Sequence, residues 1–332
     1  MEEYLASRLD QGKNPLWSQI IEELEYSDNI ESLKYDSLFV MGMGGSGIAG
    51  DVLKLISNTI SDKDIIIRKD YSIPPNIINK KPFCLFISYS GNTEETISGM
   101  NDAIKNNLDW AVISSGGKLL SSAKKYEKAY IKIPSGLQPR NAFGYLTQAV
   151  CRFIDFNENI DFTSKIEGLT NENVEGELVS IAKNLVKEIQ GKACLIYAGT
   201  PMTKLAATRW KTQINENAKS IAFTGDIPEV HHNEILSWES NPQFSMDNYH
   251  LVLLRDTFNE HKQISKRFAH TERLLEKKVS CSHIHSPSED VFEGLMHLIL
   301  LGDLVSIYLA QEKGIDTMNI DTIEELKKLL KG

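Results

Sequence analysis

Cysteine is scarce in this sequence, and its few occurrences are widely separated. The four cysteines are Cys84, Cys151, Cys194 and Cys281, and no two of them have the C-x-x-C spacing of a redox or zinc motif. A disulfide framework is therefore not indicated, and we expect a reduced, cytoplasmic protein. The start of the chain also lacks a basic segment followed by an apolar one, so no secretory signal is predicted.

Long apolar runs and an excess of positive charge are absent as well. No apolar run reaches the roughly 18 residues of a membrane span, and we interpret residues 295–310 as a buried helix. The chain has 36 basic and 45 acidic residues, a net charge of −9, which gives no overall basic surface for nucleic acid. Hydrophobic residues make up 41% of its 332 residues, which suits a soluble globular protein of about two domains.

Short apolar segments alternate with helical patterns along both halves of the chain. This alternation predicts an α/β protein built from two tandem α/β/α sandwich domains with mainly parallel, flavodoxin-like sheets. We place an N-terminal domain with a helical lead-in at residues 1–155, a polar linker at 156–180 and a C-terminal domain at 181–332. The predicted strands are residues 37–43, 65–68, 83–88, 110–114, 130–133, 193–198, 220–223, 250–254 and 279–284.

A glycine-rich turn follows the first predicted strand. In its pattern, Gly42-x-Gly44-x-x-Gly47, glycines let backbone N–H groups approach an anion at the start of a helix. A dinucleotide site also requires an acidic residue about 20 residues further on, whereas Asp70 follows Gly42 by 28 residues. A nicotinamide-dependent dehydrogenase and a tight turn without any ligand are the two alternatives here.

A second turn, Ser88-Tyr-Ser90-Gly91-Asn92-Thr93, places three hydroxyls between a strand and a helix. Thr93 occupies the expected N-cap position, but capping needs only one hydroxyl, so the additional ones indicate phosphate binding. Because such turns lie at the carboxyl edge of a parallel sheet, both turns should face one crevice. Since the nucleotide-triphosphate pattern G-x-x-x-x-G-K-[ST] is absent from the sequence, we predict a small phosphorylated metabolite.

The two turns together resemble the sugar isomerase (SIS) domain, which binds phosphosugars. Three further segments narrow the resemblance: Pro139-Arg-Asn-Ala-Phe-Gly-Tyr145, Asn215-Glu-Asn-Ala-Lys219 and His232-Asn-Glu234. With them, residues 37–330 are similar to the bifunctional phosphoglucose/phosphomannose isomerase family. The resemblance implies a homodimer that needs no metal or other cofactor. It also implies interconversion of glucose 6-phosphate, and of mannose 6-phosphate, with fructose 6-phosphate through a cis-enediol(ate).

The resemblance also implies roles for individual residues. The phosphate group would be held by residues of the two turns: Gly45, Ser46, Ser88, Ser90 and Thr93. Glu216 matches the general base, His232 a ring-opening histidine donated by the partner subunit, and Arg140 the arginine near the reacting carbons. A C-terminal lysine also belongs to the site, and Lys327 fits its pattern.

The residues themselves leave alternatives to these roles. Glu216 lies between a predicted helix ending near residue 214 and a predicted strand, so it could be an exposed helix-end glutamate. His232 could be a surface residue and Arg140 part of a surface salt bridge. A turn from helix to strand lies at the amino edge of its own sheet, away from the usual ligand crevice. Glu216 can therefore meet the phosphate turns only in a site shared between domains or subunits.

Sequence spacing distinguishes the members of two pairs of adjacent residues, Lys327 from Lys328 and His232 from His231. Ile323, Leu326 and Leu330 form one apolar stripe along the predicted last helix, and we expect this face to be buried. At 100° per residue, Lys327 lies about 40° from Ile323, at the edge of the stripe, whereas Lys328 lies about 140° away. We therefore favour Lys327 as the lysine that can extend along the stripe towards a site. His232 is favoured over His231 by its spacing to Glu234.

Two histidine-rich patterns raise the question of a metal. His231, His232 and Glu234 are too close in sequence to share one face. Alternation along a strand would place Cys281, His283 and His285 on one face, but no fourth ligand is evident, so we predict no metal site. The functional alternatives are an isomerase of another phosphosugar and a non-catalytic module that senses sugar phosphates.

Overall fold

The structure is a computed structural model that describes residues 19–20, 22–158 and 173–330, with side chains from residue 176 in the last range. Contacts within the chain divide it into two compact units. The N-terminal unit is Lys13–Asn171, and the C-terminal unit is Glu172–Gly332 with Met1–Gly12, which lies outside the described residues. Most of the predicted linker at 156–180 also lies outside them. The described parts at its two ends are helical.

The N-terminal unit is built around a six-stranded sheet. Its strands are β1 Glu25–Tyr26, β2 Ser37–Met41, β3 Asp64–Arg68, β4 Phe83–Ile87, β5 Trp110–Ser114 and β6 Ala129–Lys132. Its helices are α1 Gly44–Ile60, α2 Pro75–Ile78, α3 Glu94–Lys105, α4 Gly117–Lys125 and α5 Phe143–Glu158, with 3₁₀ turns at Ile30–Ser32 and Pro139–Ala142.

The strand order of this sheet determines where a ligand can bind. The order is β1-β6-β5-β4-β2-β3, and every pair is parallel except that of β1 with β6. The five parallel strands thus have the flavodoxin-like order 2-1-3-4-5, whose direction reverses between β2 and β4. Ligands of such sheets bind outside the carboxyl ends of the strands at that reversal. The two predicted phosphate turns directly follow β2 and β4.

The described part of the lead-in differs from the helix predicted for it. Residues 22–36 form β1 and a 3₁₀ turn, and only residues 19–20 are helical. Strand β1 is held by its antiparallel pairing of Glu25 with Lys132 and of Tyr26 with Ile131. A two-residue strand carries no periodic signal of its own, so sequence pattern could not reveal it.

The C-terminal unit contains a four-stranded parallel sheet. Its strands are β7 Ala193–Ala198, β8 Ala222–Asp226, β9 Tyr249–Arg255 and β10 Ser280–His285. Its helices are α6 Asn173–Ile189, α7 Pro201–Ala218, α8 Pro242–Asn248, α9 Lys262–Leu275, α10 Val291–Glu312 and α11 Asp321–Leu330, with 3₁₀ turns at Glu229–His232 and Glu234–Glu239. The order is β10-β9-β7-β8, with β8 and β10 at the two edges of the sheet.

Alternation along the central strands divides the C-terminal unit into two layers. Odd-numbered residues of β7 and β9, such as Tyr197 and Leu253, share a core with Val230, Trp238 and Phe268 of the 3₁₀ turns and α9. The opposite face is covered by α7, which packs against α10, and by α6, which also contacts α10. Side chains that alternate along a strand point to opposite faces of the sheet. Helix α7 and the 3₁₀ turns therefore lie on opposite faces.

Helix α10 is the most apolar helix of the described residues. It is long and apolar enough to cross a membrane, but most of it is buried inside its unit. Residues Leu295, Ile299 and Val305 are inaccessible to solvent, and Gly302 lets the Trp210 ring of α7 approach the helix backbone. The helix is therefore a core helix of its unit, which agrees with the interpretation of residues 295–310.

Candidate active site

The first phosphate turn joins β2 to α1. Gly44 has a φ of +51°, a left-handed conformation that glycine adopts without strain. Met43 is the N-cap residue of α1 and makes no side-chain capping hydrogen bond. The first N–H groups of a helix have no intrahelical partner, and none here is capped by Met43. They are available to an anion beside Gly45 and Ser46.

The second turn joins β4 to α3 and contacts the first. The Tyr89 amide donates to Ser46 Oγ at 3.1 Å. Within the second turn, the Gly91 amide donates to Ser88 Oγ at 3.2 Å, and Ser88 Oγ lies 2.7 Å from Thr93 Oγ1. Thr93 is the N-cap residue, as predicted, but its hydroxyl caps no backbone amide. The structure thus brings together the two turns.

The hydroxyls of these turns are arranged as donors. Ser46 Oγ accepts the Tyr89 amide, and Ser90 Oγ accepts the Asn92 amide at 3.2 Å. A hydroxyl that accepts from the backbone still has its own proton to donate. Both hydroxyls therefore retain a proton for a phosphate oxygen.

A neighbouring loop holds the serine turn in place. Gly91 has a φ of +66°, and a Cβ there would lie 1.9 Å from the Gly116 carbonyl oxygen. The Leu119 amide donates to the Gly91 carbonyl at 3.0 Å, and the Lys118 amide donates to Asn92 Oδ1 at 3.1 Å. Only glycine at position 91 permits this close approach of the two loops.

Arg140 reaches the same edge of the N-terminal sheet. It lies in the 3₁₀ turn after β6, only 4% exposed, so the alternative of a surface salt bridge is excluded. The Leu137 amide, three residues earlier, donates to the hydroxyl of Tyr89 at 2.9 Å. Gln19 fixes the far side of the turn, since it donates to the Asn141 carbonyl at 2.6 Å and accepts the Gly144 amide.

Lys69 is a cation near the first turn that sequence reasoning missed. It directly follows β3, and its Cε lies 3.1 Å from where a Cβ on Gly47 would be. Its ammonium pairs with Asp51 of α1. Burial raises the pKa of that carboxyl, and the charge of Lys69 opposes the rise. The available signal was its place after a strand that neighbours β2.

Glu216 lies in the last turn of α7, not in the turn that we predicted. The helix continues to Ala218 because both neighbouring asparagines have partners. Asn215 donates to the Ser220 carbonyl at 2.8 Å, and Asn217 donates to Ser306 Oγ of α10 at 2.9 Å. The Asn-Glu-Asn segment therefore fixes a half-buried glutamate at the amino edge of the sheet.

Lysines surround the end of α7. Lys219 adopts a left-handed conformation and donates to the carbonyls of Glu216 and Thr317 at 2.7 and 3.2 Å. Lys313 donates to the Ala218 carbonyl at 3.1 Å. Cations at a helix C-terminus satisfy its last carbonyls and complement the negative end of its dipole. They also place positive charge near the Glu216 carboxylate.

The two adjacent histidines have different environments. His231 Nδ1 lies 3.0 Å from Arg267, and its Nε2 lies 2.7 Å from the hydroxyl of Thr271. Burial, followed by the charges of Arg267 and His232, lowers the pKa of His231. Since both nitrogens of His231 have structural partners and His232 is exposed, His232 is the one with an accessible ring.

The segment after His232 is held by a buried network. The hydroxyl of Tyr197 in β7 donates to the Glu234 carboxylate at 2.6 Å, and the Trp238 indole donates to Tyr197 at 3.4 Å. Burial and the Glu234 charge raise the pKa of Tyr197, which stays protonated as a donor. Asn233 accepts the Glu234 amide at 2.6 Å. Glu234 is therefore a positioning residue of this loop.

A cavity of about 460 Å³ opens beside this network. Its described lining includes Phe223, Glu234, Phe244 and Tyr249 and contains no basic side chain. It therefore does not suit a phosphate group.

The structure does not bring Glu216 and His232 together within the C-terminal unit. Glu216 ends α7 on one face of the sheet, and His232 belongs to the 3₁₀ layer on the other face. The thickness of the sheet separates them.

Lys327 lies on α11, and no residue of this helix is buried. The prediction that Ile323, Leu326 and Leu330 form a buried stripe is wrong for this chain by itself, because these side chains are 41%, 56% and 66% exposed. The stripe exists, but nothing in the described part of the chain covers it.

Comparisons with known proteins show which sequences and folds this chain resembles. Residues 178–330 match the model of the bacterial phospho-glucose isomerase C-terminal SIS domain. The chain is 34% identical over 312 residues to the bifunctional phosphoglucose/phosphomannose isomerase of Aquifex aeolicus, covering 93% of this chain and 95% of that protein. It is 27% identical to a D-glucosamine-6-phosphate 4-epimerase of Sulfolobus acidocaldarius, covering 94% and 95%.

Among solved structures, the fold is similar to the C-terminal domain of glucosamine-fructose-6-phosphate aminotransferase from Francisella tularensis. The TM-score is 0.67 at 12% identity, with 95% of this chain and 97% of that chain covered. At this identity the likeness concerns the fold alone. The sequence identity to the Aquifex protein over nearly the whole of both chains shows that this chain belongs to the bifunctional phosphoglucose/phosphomannose isomerase family.

Proposed function

We propose that this protein interconverts glucose 6-phosphate and mannose 6-phosphate with fructose 6-phosphate. The observation that carries the proposal is the pair of turns after β2 and β4. Two helices begin there without a side-chain cap, and hydroxyls that still have a proton to donate lie between them. Such a site suits a phosphate monoester at the reversal of strand order. Family membership supports a hexose phosphate as its substrate.

The chemistry requires a proton to move between C2 and C1 of the open-chain sugar. We assign this transfer to Glu216, because a positioned carboxylate is a suitable general base. His232 moves the proton that opens the ring, since its exposed imidazole can both accept and donate a proton. The enediolate is planar at C2, so protonation of either face gives glucose 6-phosphate or mannose 6-phosphate. No metal or redox cofactor takes part in these steps.

The remaining site residues stabilise charge. Arg140 is buried in the turn after β6, at the same edge of the sheet as the serine turn, and a guanidinium that reaches the enediolate oxygen would stabilise it by about 3–4 kcal/mol. Gly45, Ser46, Ser88, Ser90 and Thr93 hold the phosphate group. Lys327 stays in the proposal on its motif alone, since its helix is exposed.

We further propose that the working unit is a homodimer in the cytoplasm, in which His232 is contributed to the site by the partner subunit. Two observations support this. Glu216 and His232 lie on opposite faces of their own sheet, so one bound sugar cannot contact both within a single C-terminal unit. The apolar stripe of α11 is exposed in the single chain, and it consists of Ile323, Leu326 and Leu330. An exposed apolar surface of this kind is what a subunit interface presents before the subunits assemble.

The test is incubation of the purified protein with fructose 6-phosphate and a metal chelator, followed by NMR. We expect both aldose phosphates to appear. If only glucose 6-phosphate appears, the isomerase chemistry is supported and the dual specificity is refuted. Binding without turnover would favour a sensing module. Because a relative is a 4-epimerase, glucosamine 6-phosphate is tested in parallel, and a 4-epimer as the main product would overturn the proposal.

Paired variants test the catalytic assignments. Glu216→Gln should lower kcat by roughly 10²–10⁴-fold for both aldose products. His232→Gln should lower turnover of the cyclic substrate with an unchanged melting temperature, since the side chain is exposed. His231→Gln is the matched control. It should lower the melting temperature, because it removes two structural contacts, and it should leave turnover of the cyclic substrate unchanged. Equal effects of the two histidine variants on kcat would contradict the assignment.

A further inference from the structure

A cluster of three metal-ligating side chains in the C-terminal unit includes no residue of the proposed site. Cys281 and His283 are alternate residues of the edge strand β10 and project from the same face. Glu272 of α9 approaches them from the layer above. Ligand atoms of the three side chains all lie within 4.8 Å of one another. The cluster thus joins an edge strand to the helix that covers it.

The distance between the His283 nitrogen and the Glu272 oxygen suits two ligands of one metal ion better than it suits a hydrogen bond. His283 Nε2 lies 3.2 Å from Glu272 Oε1, yet this nitrogen is buried without a hydrogen bond of acceptable geometry. Two ligand atoms of one tetrahedral zinc ion, each about 2.0–2.1 Å from the metal, lie about 3.3 Å apart. The observed separation is therefore close to that of two ligands of one ion.

We propose that Cys281 Sγ, His283 Nε2 and a carboxylate oxygen of Glu272 bind one Zn²⁺ ion, with water as the fourth ligand. Thiolate and imidazole together favour zinc over magnesium or calcium, which prefer oxygen ligands. A thiolate and a carboxylate also balance the two positive charges of the ion. On binding, the Cys281 proton is released to water as the Zn–S bond forms.

The proposed site has a structural role. Zinc would tie α9 and β10 together. The neighbouring residue Thr271 holds His231, so the same helix also supports the loop that carries His232. The site is independent of the proposed isomerase chemistry.

The experiment uses the untagged full chain, because a histidine tag would bind zinc itself. The protein is treated with chelator, dialysed and titrated with Zn²⁺ alone, and bound metal is measured by elemental analysis. We expect one ion per chain and a melting temperature that rises by several degrees. Co²⁺ should give the thiolate charge-transfer and tetrahedral d–d bands of a site with one sulfur ligand.

Variants locate the ion. Cys281→Ser, His283→Ala and Glu272→Gln should each lose the bound ion or weaken its binding at least tenfold, with unchanged far-UV circular dichroism. His285→Ala is the matched control: its ring lies 6.1 Å from that of His283 on the same strand, outside the cluster, and the variant should keep the ion. No binding to the wild type, unchanged binding in Cys281→Ser and His283→Ala, or loss in His285→Ala would each overturn the proposal.

Discussion

Replacing Gly91 by alanine should damage the serine turn far more than the same change at Gly44. Both glycines have positive φ, +66° and +51°. A Cβ at Gly91 would lie 1.9 Å from the Gly116 carbonyl oxygen, whereas a Cβ at Gly44 would meet nothing within 4 Å. The pair therefore separates the cost of backbone conformation from the cost of a close approach.

The magnitudes follow from these two costs. A left-handed conformation costs a non-glycine residue about 1–2 kcal/mol, and the reduced entropy of the unfolded chain returns about 0.4–1 kcal/mol. Gly44→Ala should therefore lower the free energy of unfolding by about 0–1.5 kcal/mol. Gly91→Ala adds an overlap with backbone, for which overpacking costs of about 1–3 kcal/mol are typical. Its total is about 1–4.5 kcal/mol.

The assay is urea unfolding followed by tryptophan fluorescence, to which Trp110, buried in β5 of the same unit, contributes. Midpoints are compared at equal m-values, and circular dichroism must give the same transition for a two-state treatment. Gly91→Ala should also raise the KM for fructose 6-phosphate more than it lowers kcat, because it displaces phosphate ligands. Equal midpoints for the two variants would refute the argument from close approach.

The remaining predictions concern buried polar groups of the C-terminal unit. Burial and the charge of Lys192 lower the pKa of His250 to about 4. At 1.36 kcal/mol per pKa unit, the free energy of unfolding should fall by roughly 3 kcal/mol as the pH drops from 6.5 to 4, because only the unfolded chain takes up the proton in that range. Unfolding of wild type and His250→Gln between pH 7 and pH 4 should show this difference, and parallel pH profiles would contradict it. Arg209 pairs with Asp303 through two hydrogen bonds of 3.0 and 2.8 Å, so Arg209→Met should destabilise the protein by about 3–5 kcal/mol in urea unfolding. Arg209→Met/Asp303→Leu should recover most of that loss, since no uncompensated charge remains; a double variant no more stable than the single one would count against this.

The predicted strands were located best where both faces of the sheet are covered. Residues 110–114 and 193–198 were predicted with the observed bounds of β5 and β7, because fully buried strands appear as uninterrupted apolar runs. Strand β8 was predicted at 220–223 but spans Ala222–Asp226. It is an edge strand with Phe223 and Thr224 exposed, so its apolar pattern is a poor guide to its ends.

The candidate site was predictable only where its geometry is local. The hydroxyls and glycines of the two turns are adjacent in sequence, and their contact follows from the strand order. The helical position of Glu216 depends on Asn217 reaching Ser306, 89 residues away, and no local pattern records that contact. The same holds for Glu272, which approaches Cys281 and His283 from α9 and could not be found by alternation along one strand.

Each unit has a glycine turn after a central strand, at Gly44 after β2 and at Gly199 after β7. These two turns are not equally able to bind a phosphate group. In the C-terminal unit the strand order also reverses, between β7 and β9, so a ligand crevice would be expected there by the same rule. At the first of its turns, however, Pro201 has no N–H group, and Thr200 caps the amide of Thr203 at 3.3 Å.

At the second turn, a buried carboxylate directly follows β9. Asp256 is 1% exposed and accepts the amide of Asn259 at 3.1 Å. The amides that α1 and α3 leave uncapped are thus already satisfied by the chain itself in the C-terminal unit, and its carboxylate disfavours a second anion. Under the proposed function, the N-terminal unit would hold the phosphate group, and the C-terminal unit would supply Glu216 and His232 from surfaces outside its own crevice.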